Sequence, residues 1–198
     1  LNTWQHLALT YDCTLSDTGV WELFLDGVSA GTLANATRPA ASHGISAFYL
    51  GGRPYVNTPS STFMGLFDCW RISDGVLTPT QFLNAASARS LAPRTLAYWK
   101  LDAAGGAPDL SSSVDARFGL FVANGGATAT NIQACARIPN PDTSPDFIGD
   151  PTSNVGAVFF RAPGDPPDSR CAYASYLGLR IDPVNSFTTE GWLKLYGD

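Results

Sequence analysis

The sequence predicts an all-β protein, a two-sheet antiparallel β-sandwich of the jelly-roll kind with one short helix near 78–90, and three observations carry that reading. Nineteen glycines and fourteen prolines interrupt aromatic and aliphatic runs, the punctuation of many short strands joined by turns. Those runs have strand length, and two of them flank Asp26-Gly27, the strongest short-range hairpin signal. Helix-start chemistry is confined to the segment after Leu77.

Taken in order, residues 4–11 (WQHLALTY) are apolar enough for a strand covered on both faces, and 12–19 (DCTLSDTG) form its turn. Residues 20–25 (VWELFL) and 28–33 make the hairpin about Asp26-Gly27. A polar stretch leads to 45–50 (ISAFYL), ended by Gly51-Gly52, and 63–72 (FMGLFDCWRI) is the next strand. Thr78 is then a natural N-cap, with Pro79 at the first helical position and Gln81 placed for a capping box, so a short helix ending before Pro93 is expected. Strands are predicted again at 96–101 (LAYWKL), 157–160 (AVFF), 176–181 (YLGLRI) and 187–196 (FTTEGWLKLY), with irregular loops filling most of 102–154. About nine or ten strands suit a two-sheet jelly roll.

Composition bounds the function. The formal net charge is -5, and of seventeen acidic residues only Glu22 and Glu190 are glutamates. Aspartate belongs in turns and calcium loops. Basic residues are few and dispersed, which argues against nucleic-acid binding. No run approaches the roughly 20 apolar residues that span a bilayer, so no membrane insertion is expected. The chain opens within a strand-like run and without a signal peptide, so it reads as a piece of something longer.

Cys13, Cys69, Cys135 and Cys171 are widely separated and contain no CxxC pair, so disulfides are favoured over zinc. Of about three possible pairings, Cys13 with Cys69 and Cys135 with Cys171 is favoured, because each pair stays within one half of the chain. Disulfides imply an oxidising compartment, hence a secreted or cell-surface location. The sequon Asn35-Ala36-Thr37 is consistent with that location.

The phrases WQHLALTYD (4–12), LFLDG (23–27), YLGG (49–52), GLFDCWRI (65–72) and LT (77–78) resemble, in order and spacing, the C-terminal half of a laminin-G-like domain of the concanavalin A-like lectin kind. The phrases LAYWKLD (96–102), AVFF (157–160) and SFTTEGWLK (186–194) resemble the N-terminal half of the same kind of domain. The family order is therefore inverted, giving a C-terminal half over 1–93 and, over 94–198, the N-terminal half of a following, permuted or strand-swapped sandwich. A fragment across two tandem repeats, one unit of a long array and a permuted domain are the three explanations, and the array is favoured because unfinished sandwiches leave strand edges to be covered by neighbours.

The resemblance implies a non-catalytic extracellular module for adhesion or for glycan or protein binding within a large tandem-repeat protein. The alternative is a structural repeat of an extracellular fibre, with neighbouring copies completing one another's sandwiches. A glycoside hydrolase needs two carboxylates flanking the bond, and the two glutamates are far apart in sequence with no acidic strand to supply a pair. His6 lies inside a strand phrase that the resemblance marks as structural, and His43 lies in a polar loop. Relatives often carry a structural calcium ion, and Asp68 and Asp102 match positions where first and last strands adjoin; turn or strand-end aspartates are the equal alternative. Trp21, Arg53 and Tyr55 are the candidate ligand-binding residues, while Trp4, Trp70, Trp99 and Trp192 are assigned to packing.

Overall fold

The computed structural model describes residues 2–16, 18–34, 47–51, 63–84, 95–99, 101, 121–123, 128–130, 157–159, 171–175 and 186–196. Its strands are β1 (Trp4–Asp12), β2 (Val20–Leu25), β3 (Val28–Ala34), β4 (Ala47–Leu50), β5 (Gly65–Asp74), β6 (Thr95–Trp99), β7 (Phe121–Ala123), β8 (Thr128–Thr130), β9 (Ala157–Phe159), β10 (Cys171–Ser175) and β11 (Phe187–Leu195). An eight-stranded sheet runs β3-β2-β1-β11-β5-β9-β8, with β6 also paired to β5, and a three-stranded sheet runs β4-β10-β7. Every strand pair is antiparallel. The all-β, two-sheet expectation therefore holds.

Local chemistry explains the first three strands. Asp26 and Gly27 both have positive φ, 50° and 81°, as the tight hairpin turn between Leu25 and Val28 requires. Asp26 also clasps β1, since its Oδ1 accepts the His6 N–H at 2.8 Å and its own N–H donates to the His6 carbonyl at 2.7 Å. Alternation along β1 sends Leu7, Leu9 and Tyr11 to one face and His6, Ala8 and Thr10 to the other.

The topology is set by the last strand. β11 inserts between β1 and β5, with Trp4 opposite Lys194 and Tyr11 opposite Phe187 on one side, and Phe187 opposite Asp74 on the other. The two ends of the chain meet there: the Asn2 N–H donates to the Leu195 carbonyl at 2.7 Å. The first and last strands of the chain thus share one sheet.

A bulge re-aims the middle of β5. Between Glu190 opposite Arg71 and Trp192 opposite Asp68, two residues of β5 face one of β11, and Cys69 takes φ 49° to absorb the excess. Trp70 thereby lies against Gly191, where a Cβ would come within 2.2 Å of Trp70 Cε3. The main core lies on this face and joins Tyr11, Phe67, Trp70, Ile72, Ala97, Trp99 and Phe187 to Leu50 at the end of β4 in the second sheet.

The opposite face is covered by the segment after β5. The helix predicted over 78–90 is instead a three-residue 3-10 turn, Pro79–Gln81, and residues 85–90 lie outside the described residues. Gln81 Oε1 does accept the Thr78 N–H at 2.9 Å, as the predicted capping box requires. Helix propagation stops at Phe82, whose ψ is 157°, because its ring is buried against Phe24 and the Leu83 N–H is drawn to Glu190. Tertiary contacts override local propensity here.

Several other expectations are revised. β7 occupies a stretch read as loop, and β8 and β10 occupy stretches to which the sequence reading assigns no strand, because three to five residues with little aliphatic content carry too weak a period to be seen. The strand expected at 176–181 lies outside the described residues. Gly191→Ala should lower stability by about 1–3 kcal/mol through overpacking against Trp70, read as a fall in thermal midpoint of several degrees.

Candidate functional site

The most concentrated polar chemistry among the described residues is buried at the crossing of β1, β11 and β5. Glu190 is fully buried, and both of its carboxylate oxygens are saturated. Oε1 accepts Arg71 Nε at 2.8 Å and the Arg71 guanidinium again through Nη2. Oε2 accepts His6 Nε2 at 2.9 Å and the Leu83 backbone N–H at 2.8 Å. Arg71 Nη2 continues to the Gln81 carbonyl at 2.7 Å. The alternation that sends Leu7 and Tyr11 to the core sends His6, Glu190 and Arg71 together to the other face.

Burial pushes the Glu190 carboxyl up, but the Arg71 guanidinium, the hydrogen bond from His6 and the Leu83 amide outweigh it and hold the group below its ordinary range. An ionised carboxylate only accepts, so Nε2 of His6 is the donor in this contact. Its Nδ1 is buried with no hydrogen-bond partner, and its ring packs edge-on to Trp192 at 5.5 Å and tilted to Phe82 at 5.8 Å. A histidine enclosed by protein on every side and a carboxylate with no open lone pair cannot reach a substrate. Sequence reading identified His6 as structural but missed its partner, and the spacing of 184 positions between His6 and Glu190 explains why.

The candidate ligand residues separate. Trp21 is half-buried and packs against Tyr11 at 4.8 Å and Phe187 at 5.5 Å. It borders a cleft of about 420 Å³ lined by Leu9, Trp21, Leu23, Gly31, Thr32 and Leu33. Among the described residues the lining of this cleft is mostly apolar, with the indole of Trp21 and the neighbouring Thr32 the polar members, few for the converging hydrogen bonds that orient a sugar. Arg53 and Tyr55 lie outside the described residues, as does His43.

Asp68 is buried in β5 opposite Trp192, and Asp102 lies outside the described residues. The pairing of Trp70 with Trp99 shows that β5 and β6 do adjoin within this one chain. Calcium takes six to eight oxygen ligands, and no cluster of three or more His, Cys, Asp or Glu forms among the described residues. They do not by themselves build an ion site.

Cys69 is disulfide-bonded, whereas Cys13 keeps its thiol, whose sulfur accepts Ser186 Oγ at 3.3 Å. The expected Cys13–Cys69 bridge is therefore corrected. β11 separates the strand that ends beside Cys13 from the strand that holds Cys69, and two strand spacings of about 4.8 Å exceed the roughly 7 Å limit between bridged Cα atoms. The side chains of Cys135 and Cys171 lie outside the described residues.

With this geometry in place, the comparison with known families is informative. Residues 1–82 match a laminin-G family model, described as the concanavalin A-like lectin/glucanases superfamily. That segment is laminin-G-like. The match runs from β1 through the 3-10 turn and stops before β6 and β11. Glu190 thus lies outside the matched segment, while His6 and Arg71 lie within it. No curated protein and no solved structure matches the chain. Laminin-G-like domains are typically extracellular and non-catalytic, and no described helix is long and apolar enough to cross a membrane.

Glu190→Gln should cost about 3–5 kcal/mol by leaving the Arg71 charge buried without its counter-ion. The sign of the pH effect follows from the lowered carboxyl: its contribution is complete above the unfolded-chain value near 4.5 and is lost as pH falls through the lower folded value. Urea unfolding across the acid range should show this loss in the native chain and a flatter profile in the glutamine variant.

Proposed function

We propose that the chain is a non-catalytic laminin-G-like module of an extracellular protein, holding a glycan or another protein in adhesion. The observation that carries this reading is the state of Glu190: its carboxylate is buried and saturated by Arg71, His6 and Leu83, which leaves it no lone pair for hydrolysis, and the described cleft has no acidic residue in its lining. The disulfide at Cys69 supports an oxidising compartment. The purified chain should release no reducing sugar from laminarin, cellulose or heparin, yet be retained on an array of neutral glycans or on immobilised collagen. Hydrolysis would overturn the non-catalytic reading, and retention on none of these would overturn the binding reading.

A second reading, a structural repeat, is favoured by the meeting of the chain ends. In consecutive copies, β11 of one unit and β1 of the next follow each other in the chain, and these are the strands that pair as Trp4 with Lys194. A two-copy chain carrying Glu190→Gln in one copy at a time separates the cases. Closed units lose stability equally from either position, whereas units that donate β11 forward lose it from the first copy alone.

A further inference from the structure

We propose that β3 is a self-complementary edge, and that a second copy of this chain pairs with it antiparallel about a two-fold axis. β3 ends the eight-stranded sheet, is bonded to β2 alone among the described strands, and is exposed along all seven residues. Long edges are ordinarily guarded by charge, proline or shortness. At the other end of the sheet β8 has three residues, but β3 reads VSAGTLA, with neither a charge nor a proline.

The register makes the strand its own complement. Trp21 faces Leu33 and Leu23 faces Gly31, then a shift brings Phe24 opposite Ser29 and Leu25 opposite Val28. Phe24 is buried on the face of the Glu190 cluster, so Ser29 and Thr32 belong to that face, and Val28 and Leu33 to the opposite, core-side face. The irregularity therefore puts two residues five apart on one side, which an unbroken strand cannot do. A two-fold axis between Ala30 and Gly31 then sets Val28 opposite Leu33 of the second copy on the apolar side, and Ser29 opposite its Thr32 on the other. A register one residue away would oppose apolar to hydroxyl.

What is exposed fits that partner. Val28 is 70 % and Leu33 65 % exposed, the two most exposed large hydrophobic residues described. Leu33 borders the cleft of Leu9, Trp21 and Leu23, and Trp21 packs against the main core. Pairing of two edges would join the two clefts across the axis as a continuation of the inter-sheet interface of each copy. Each copy carries a net charge of -5, so close approach of two copies favours a surface without charge, which β3 supplies on its Val28 and Leu33 side; on the other side the Glu22 carboxylate is held by the Ser29 hydroxyl of its own copy. An isologous contact of this type closes on itself.

Light scattering coupled to size exclusion should give twice the 21.0 kDa chain mass, reverting to the single mass in Val28→Lys and Leu33→Lys, while Leu15→Lys, at another exposed leucine, leaves the dimer intact. Register is read by oxidising a Val28→Cys/Leu33→Cys double variant. The proposed pairing yields a covalent dimer on a non-reducing gel, and neither single variant does, since each cysteine then faces a native residue. A monomer at the highest soluble concentration, or a dimer that survives both lysine variants, overturns the proposal; the former outcome leaves the edge to a foreign strand.

Discussion

The ionised side chain of Glu190 is the constraint on which the rest of the fold depends. A buried carboxylate is tolerated only with full compensation, and compensation here must come from three directions at once: His6 on β1, Arg71 on β5 and the Leu83 amide after the 3-10 turn. Each donor fixes one neighbour. β11 is held between β1 and β5 in a single register, since a slip of one residue would carry Glu190 to the apolar core and leave Arg71 and His6 with no acceptor. The short segment after β5 is closed over the same face, with Thr188 Oγ1 accepting the Leu77 N–H at 2.8 Å and donating to the Gly75 carbonyl at 2.9 Å.

The opposite face is organised by volume instead of charge. The bulge at Cys69 turns Trp70 toward Gly191, and only a residue without a Cβ permits that approach. Trp70 Nε1 finds Thr189 Oγ1 at 2.8 Å, so the indole is packed without an unmet donor. One strand therefore serves both faces, with Glu190 fixing the polar side and Gly191 admitting the ring on the apolar side.

Much of this was legible in the sequence, for identifiable reasons. The hairpin was readable because Asp26-Gly27 is a local signal that needs no tertiary help, and β1, β2, β5, β6 and β11 stood out because their apolar runs are long. The placement of β11 was not readable from period or propensity. It follows from a contact between positions 6 and 190, and nothing local to either announces it. The predicted helix failed for the same reason, since Phe82 and Leu83 obey Phe24 and Glu190 and not the cap at Thr78. The favoured Cys13 and Cys69 pair failed because nearness in sequence is no guide when a distant strand is inserted between them. Of the candidate site residues, Trp21 packs against the main core and borders a cleft whose leucines come from three strands.

The central claim is that the last strand of this chain is an interior strand of the sheet begun by its first. Amide hydrogen exchange followed by mass spectrometry at neutral pH tests it most directly. In the Val28→Lys variant, whose β3 is an open edge, the account predicts that the peptide covering 187–195 is protected as strongly as those covering β1 and β5, and far more strongly than β3. Exchange of 187–195 at the rate of β3 while β1 and β5 stay protected would contradict it.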